Sequence, residues 1–124
     1  MKIGIVGAGR VGCACALAAV VRGSARTIVI VDRTRKRAGA VATDLRYGAP
    51  LCPKTTVVDG DYEDLANSEL VMITAGINEK AGGPIDRSDP RDRLRLFDTN
   101  AEISPALALE CVHWVAARLF PRLT

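Results

Sequence analysis

The beginning of the chain constrains it most. Ile3-Gly4-Ile5-Val6 is a short apolar run, and it leads straight into three glycines spaced Gly7-x-Gly9-x-x-Gly12. A run that is apolar at nearly every position predicts a strand buried on both faces, as in a parallel sheet. Residues 13 to 21 are then rich in Ala and Leu and predict a helix, with Gly23 placed as its stop. Thr27-Ile28-Val29-Ile30-Val31 follows as a second buried strand and ends at Asp32. Strand, glycine turn, helix and strand within about thirty residues make one βαβ unit.

The rest of the chain extends this unit. Residues 35 to 47 predict a second helix with Ala38, Val41, Ala42 and Leu45 on one face. Gly48 is its expected stop, and Pro50 and Pro53 prevent its continuing. Thr55-Thr56-Val57-Val58 reads as a weaker third strand, residues 61 to 67 as a short helix or turn, and Leu70-Val71-Met72-Ile73-Thr74-Ala75 as a fourth strand closed by Gly76. Residues 77 to 92, "INEKAGGPIDRSDPRD", read as a long loop, which is more often functional or disordered than inert. A further helix is expected from about Arg93, with Leu94, Phe97 and Ala101 as its apolar face. Right-handed crossovers give the strand order 3-2-1-4, so the fold class is α/β, a Rossmann-type doubly wound parallel sheet that is incomplete.

The glycines have a chemical use in such a sheet. A dinucleotide carries a pyrophosphate that must come close to the backbone. Gly7 permits a tight turn out of the strand, Gly9 lets the backbone near the phosphates, and Gly12 lets the helix pack against the strand. Amides at the start of the helix, and its dipole, then face the negative charge. Asp32 lies twenty residues beyond Gly12 at the end of the next strand, where a carboxylate accepts hydrogen bonds from a ribose diol and repels a 2′-phosphate. This favours NAD over NADP. Two alternatives stand beside it: Asp32 as a plain helix cap, and Arg33 and Arg37 as partners for a 2′-phosphate.

Composition narrows the function classes. The chain has 124 residues, enough for one domain but not for two ordinary ones. The densest basic run, Arg33-Thr34-Arg35-Lys36-Arg37, has no interleaved aromatic and continues into a helical pattern. It therefore reads as a solvated face rather than a nucleic-acid surface. Cys13, Cys15, Cys52 and Cys111 match no metal or redox spacing and read as buried free thiols of a cytosolic protein. No metal site is expected. The apolar stretch from Val11 to Val21 is too short to span a bilayer; with no signal peptide read at the start, the expectation is a cytoplasmic protein without a membrane partner. A short-chain dehydrogenase would need a Tyr-x-x-x-Lys pair, and neither Tyr47 nor Tyr62 has one.

At the fourth strand the residues become more specific. "VMITAGINEKAGG" followed by "RLRLFDTNAEI" resembles the lactate/malate dehydrogenase family, and "VATDLRYG" and "DYEDLANSEL" are also similar to it. The resemblance covers residues 1 to about 103. It implies a cofactor-binding half of an enzyme that moves hydride between NAD and a small 2-hydroxy or 2-keto acid, within a homo-oligomer in the full-length family. By that resemblance Gly7, Gly9, Val11, Gly12 and Asp32 fall on cofactor positions. Thr74, Ala75 and Gly76 fall on a turn beside the nicotinamide ribose, and Asn100 falls near the nicotinamide. Arg93, followed by Leu-x-Leu and seven residues later by Asn100, fits the arginine that polarises the substrate carbonyl. A fixed guanidinium suits that role because negative charge gathers on the oxygen as hydride moves. Arg87, in "DRSD", competes for the same role. Glu79 occupies the position that selects the substrate, and a carboxylate there disfavours a second carboxylate on the acid.

Two features depart from the resemblance. The family's mechanism needs a His, an Asp and a further Arg from its second half, while the one histidine here, His113, lies in an unrelated apolar stretch. A histidine beside Trp in such a stretch is more often packed or at the surface than a base. Residues 104 to 124 are accordingly expected to be an atypical tail of a truncated or frame-shifted product. The exposed apolar edge left at the fourth strand is expected to cause self-association.

Overall fold

The computed structural model describes residues 1–77 and 90–116, and for residues 90–96 the backbone alone. Four parallel strands are present: β1 (Lys2–Val6), β2 (Thr27–Val31), β3 (Thr56–Asp59) and β4 (Leu70–Ile73). They lie in the order β3-β2-β1-β4, as expected, with Ile5 level with Ile30 on one side and with Met72 on the other. Helices α1 (Arg10–Arg22) and α2 (Arg35–Gly48) make the first two crossovers, and α3 (Pro90–Ala116) follows β4. One-turn 3-10 helices at Ala49–Leu51 and Tyr62–Leu65 complete the path.

The sheet is covered on both sides because alternate strand residues face opposite ways. Ile3, Ile5, Ile28, Ile30 and Val57 pack with Ala16, Val20, Ala38 and Ala42 of α1 and α2. The alanines are fully or nearly fully buried, and their small side chains let the two helices sit close to the sheet. On the other face Val6, Val29 and Val31 pack with Leu65 and with Cys111 of α3. Apolar burial on both faces explains the nearly unbroken hydrophobic runs of β1 and β2. Gly23 ends α1 in the left-handed conformation, at φ 63°, and its amide closes the last turn.

Two expectations are corrected. Gly48 does not stop α2; the helix includes it and tightens into the 3-10 turn, where Pro50 stands near the start and needs no amide partner. At β4 an apolar edge is exposed: Leu70 is 45% exposed and Ile73 37%, because β4 has one neighbour among the described residues. The second correction lies at the start of α3. Residues 90 to 92, expected in a loop, form the start of α3 with Pro at its first position.

The apolar face expected on α3 is also displaced. Phe97 is 68% exposed and Ala101 is exposed; the packed face carries Asn100, Ile103, Leu107, Cys111 and Val115 instead. These recur every three to four residues and form one stripe. The helix passes through residue 103 without interruption and contains Pro105, which can donate no hydrogen bond to the preceding turn. Between β4 and α3 an apolar groove of about 320 Å³ is lined by Val71, Ile73, Cys111 and Val112, with the buried hydroxyl of Ser68 at its wall and without a hydrogen-bond partner among the described residues.

Candidate cofactor site

The glycine turn leaves β1 and enters α1 within four residues. Gly7 has φ 105°, in the region where a side chain is strained, and a Cβ there would lie 2.7 Å from the Ala75 amide nitrogen. At Gly12 a Cβ would overlap the carbonyl oxygen of Gly7 and lie 2.8 Å from Thr74 Oγ1. Gly9 differs, since a Cβ there would meet nothing within 4 Å. Two of the three glycines are therefore demanded by packing inside the chain. The third opens onto free space, which is where an incoming phosphate needs room.

Gly9 is also the N-cap of α1; no side chain caps the helix start, and its first turn carries no acidic residue. The first amides of an α-helix have no partner within the helix, and the positive end of its dipole lies behind them. The residues present thus fit a diphosphate.

Asp32 is built into the same turn. One carboxylate oxygen accepts the Ala8 amide at 2.8 Å, and the other accepts the Thr34 amide at 2.8 Å. The N-cap of α2 is Thr34, so Asp32 is not the helix cap. It ties the end of β2 to the glycine turn, and each of its oxygens keeps further acceptor capacity for a ribose hydroxyl.

The basic run beside it is divided. Arg35 donates from Nε to Asp59 at 2.9 Å and from a terminal nitrogen to Asp61, so it faces the end of β3. The Arg35 hydrogen bond holds the Asp59 carboxyl below the usual carboxylate range. Arg33 and Arg37 are exposed. The Arg35–Asp59–Asp61 tie is not among the sequence expectations; its signal is the pair Asp59-Gly60-Asp61 at the end of the third strand, where Asp59 matches Asp32 at the end of the second.

The turn after β4 meets the glycine turn from the opposite side. Thr74 Oγ1 lies 3.1 Å from the Val6 carbonyl and 3.0 Å from that of Gly7, within donating reach of both. Asn100 of α3 closes the next step: the Ile77 amide donates to Asn100 Oδ1 at 2.7 Å, and Asn100 Nδ2 donates to the Ile77 carbonyl at 3.1 Å. A Cβ on Gly76 would lie 2.9 Å from that Oδ1. Gly7, Gly12, Asp32, Thr74, Ala75, Gly76 and Asn100 are thus gathered around the ends of β1, β2 and β4. Val11 lies 62% exposed on the first turn of α1.

The lactate/malate dehydrogenase NAD-binding domain model matches residues 1–118. The chain belongs to the lactate/malate dehydrogenase family. This NAD-binding domain is 42% identical over 103 residues to the L-lactate dehydrogenase of Chloroherpeton thalassium, covering 83% of this chain and 31% of that protein. It superposes on the minor L-lactate dehydrogenase of Enterococcus mundtii with a TM-score of 0.79 and 33% identity, covering 91% of this chain and 34% of that one. On the malate dehydrogenase of Archaeoglobus fulgidus in complex with NADH the values are 0.77 and 31%, with 94% of this chain and 37% of that one covered. The chain spans about a third of the length of these relatives.

Other candidate residues in this NAD-binding domain are less defined. Arg93 lies near the start of α3, where the backbone alone is described, and Glu79 and Arg87 lie outside the described residues. His113 is exposed and stands edge-on to Trp114, with ring centroids 5.2 Å apart. The four cysteines are free, but only Cys111 is buried, and burial pushes its thiol up, away from the reactive thiolate. Among the described residues no three metal-ligating side chains cluster, and no helix is long and apolar enough to cross a membrane.

Proposed function

We propose that this chain is the cofactor-holding part of a cytoplasmic NAD-dependent 2-hydroxy-acid dehydrogenase that works as a homo-oligomer on a small 2-hydroxy or 2-keto acid. The observation that carries this is the Asp32 carboxylate bonded to the Ala8 amide, which joins the ribose-reading acid to the glycine turn in one rigid unit. When bound, NAD supplies or accepts the hydride. The chain's own residues do the holding. The bare amides at the start of α1 meet the pyrophosphate, and Asp32 accepts from the adenosine ribose. The turn at residues 74 to 76 lies along the nicotinamide ribose.

In this reading Arg93 polarises the substrate carbonyl, with Arg87 as the rival for that role, and Glu79 turns away acids that carry a second carboxylate. Proton transfer needs a histidine. The single one in the chain, His113, is exposed and stands against Trp114 on α3, away from the glycine turn in sequence and element. In this reading the 124 residues bind NAD without turning over a keto acid by themselves. The division at residue 103 into a cofactor module and a distinct tail belongs to the same proposal.

The test is a titration with NADH. Binding should enhance and blue-shift NADH emission and raise the melting temperature, and Asp32→Ala should weaken it by about tenfold, the worth of one or two charge-assisted hydrogen bonds. A saturating dose of NADH that changes neither emission nor melting would overturn the reading. Turnover of any 2-keto acid by the 124-residue chain would overturn its assignment as a binding part alone.

A further inference from the structure

We propose that Asp59 and Asp61 favour NAD over NADP by holding Arg35 away from the position that a 2′-phosphate takes beside Asp32. The inference deepens the reading above and rests on it, because it takes the adenosine ribose to lie at Asp32.

The ends of β2 and β3 run side by side. Ile30 is level with Asp59, and the Gly60 amide donates to the Ile30 carbonyl at 2.9 Å. Asp32 lies two residues beyond Ile30 and accepts the Thr34 amide at 2.8 Å; Arg35 comes next, as the first residue of α2. An arginine placed close behind the ribose-reading acid is what accommodates a 2′-phosphate in dinucleotide sites. Its planar fork suits a phosphate, which it takes through two parallel hydrogen bonds.

Here that fork is turned the other way. Arg35 donates from Nε to Asp59 Oδ2 at 2.9 Å, from Nη1 to Asp61 Oδ2, and from Nη2 to the Asp59 carbonyl at 3.3 Å. All three guanidinium nitrogens are therefore engaged by β3 and the turn after it. Asp32 and the two later aspartates act differently on the same phosphate: Asp32 repels it, and Asp59 and Asp61 withhold a cation that could offset the repulsion. The Arg35 side chain is half exposed, and exposed ion pairs contribute little each. Its release is accordingly a several-fold effect on selectivity and not one of many orders of magnitude.

The experiment measures the Kd of NADH and of NADPH for the 124-residue chain by ligand fluorescence. Asp59→Asn combined with Asp61→Asn removes both charges at constant size, and Asn remains a good N-cap for the turn that starts at Tyr62. This double variant should lower the NADPH Kd by about fivefold or more, while the NADH Kd stays within about twofold. Adding Arg35→Ala should return the NADPH Kd to that of the unaltered chain. If the double variant loses its cooperative melt, Asp61→Asn alone takes its place, since Asp61 is 65% exposed, and it should lower the NADPH Kd by about twofold or more. An unchanged NADPH Kd overturns the proposal. So does a gain that survives Arg35→Ala, which would belong to the lost negative charge or to Arg33 and Arg37. Failure of the unaltered chain to bind NADH overturns instead the reading on which it rests.

Discussion

The two halves of the sheet are made of similar residues and do different things. At β1 and β2 four of five residues are buried in each strand, and the two core layers meet there. At β4 none of the four residues is fully buried, although its sequence, LVMI, is as apolar as either. The difference lies in neighbours: β1 and β2 each have a strand on both sides, whereas β4 has β1 alone among the described residues. Hydrophobicity states that a strand wants cover, and topology decides whether it receives any. The glycine turn, Gly7 to Gly12, and Asp32 stand on the covered half. Thr74 to Ile77 and Asn100 stand on the open half and depend on local clasps.

The sharpest way to break this comparison is at the seam between the halves. Gly12→Ala puts a methyl group onto the Gly7 carbonyl and against Thr74 Oγ1, and backbone cannot move aside as a side chain can. A loss of about 3 kcal/mol or more is expected by urea denaturation, together with loss of NADH binding. Next, Ile5→Ala on the covered half should cost about 3 kcal/mol, while Ile73→Ala on the open half should cost under about 1. Equal costs would show that β4 is as well packed as β1.

Smaller effects sharpen the contrast. Leu70→Lys should change stability by no more than about 0.5 kcal/mol, since Leu70 is 45% exposed, but a charge on the edge opposes strand pairing. The unaltered chain should elute with concentration-dependent self-association and the variant as a monomer; identical elution of the two would place any association elsewhere. The smallest effect belongs to Asp59. Its carboxyl is held below the usual range by Arg35, so its contribution is present above about pH 4 and is lost as pH falls through the lowered value. Asp59→Asn should flatten that acid limb of the melting curve, and high salt should do the same, because the pair is exposed.

The strands and their order were legible because β1 and β2 lack alternation, and only a doubly covered parallel sheet explains that. The glycine spacing was legible for the same reason, since the strand before it and the helix after it follow from composition. Two things were not. The rotation of α3 follows from Asn100 meeting Ile77 and Cys111 packing with Val6, Val29 and Leu65, so Phe97 and Ala101, which look like a core face in isolation, are exposed. The Arg35–Asp59–Asp61 tie joins residues more than twenty positions apart, and a basic run read locally shows only a solvated face.

Pro105 divides the duties of α3. With no proton to offer the carbonyl one turn earlier, it removes one ladder bond between the segment that carries Asn100 and the segment whose Leu107, Cys111 and Val115 pack on the sheet. Each segment is therefore seated by contacts of its own, the first by the paired bonds of Asn100 to Ile77 and the second by its apolar side chains.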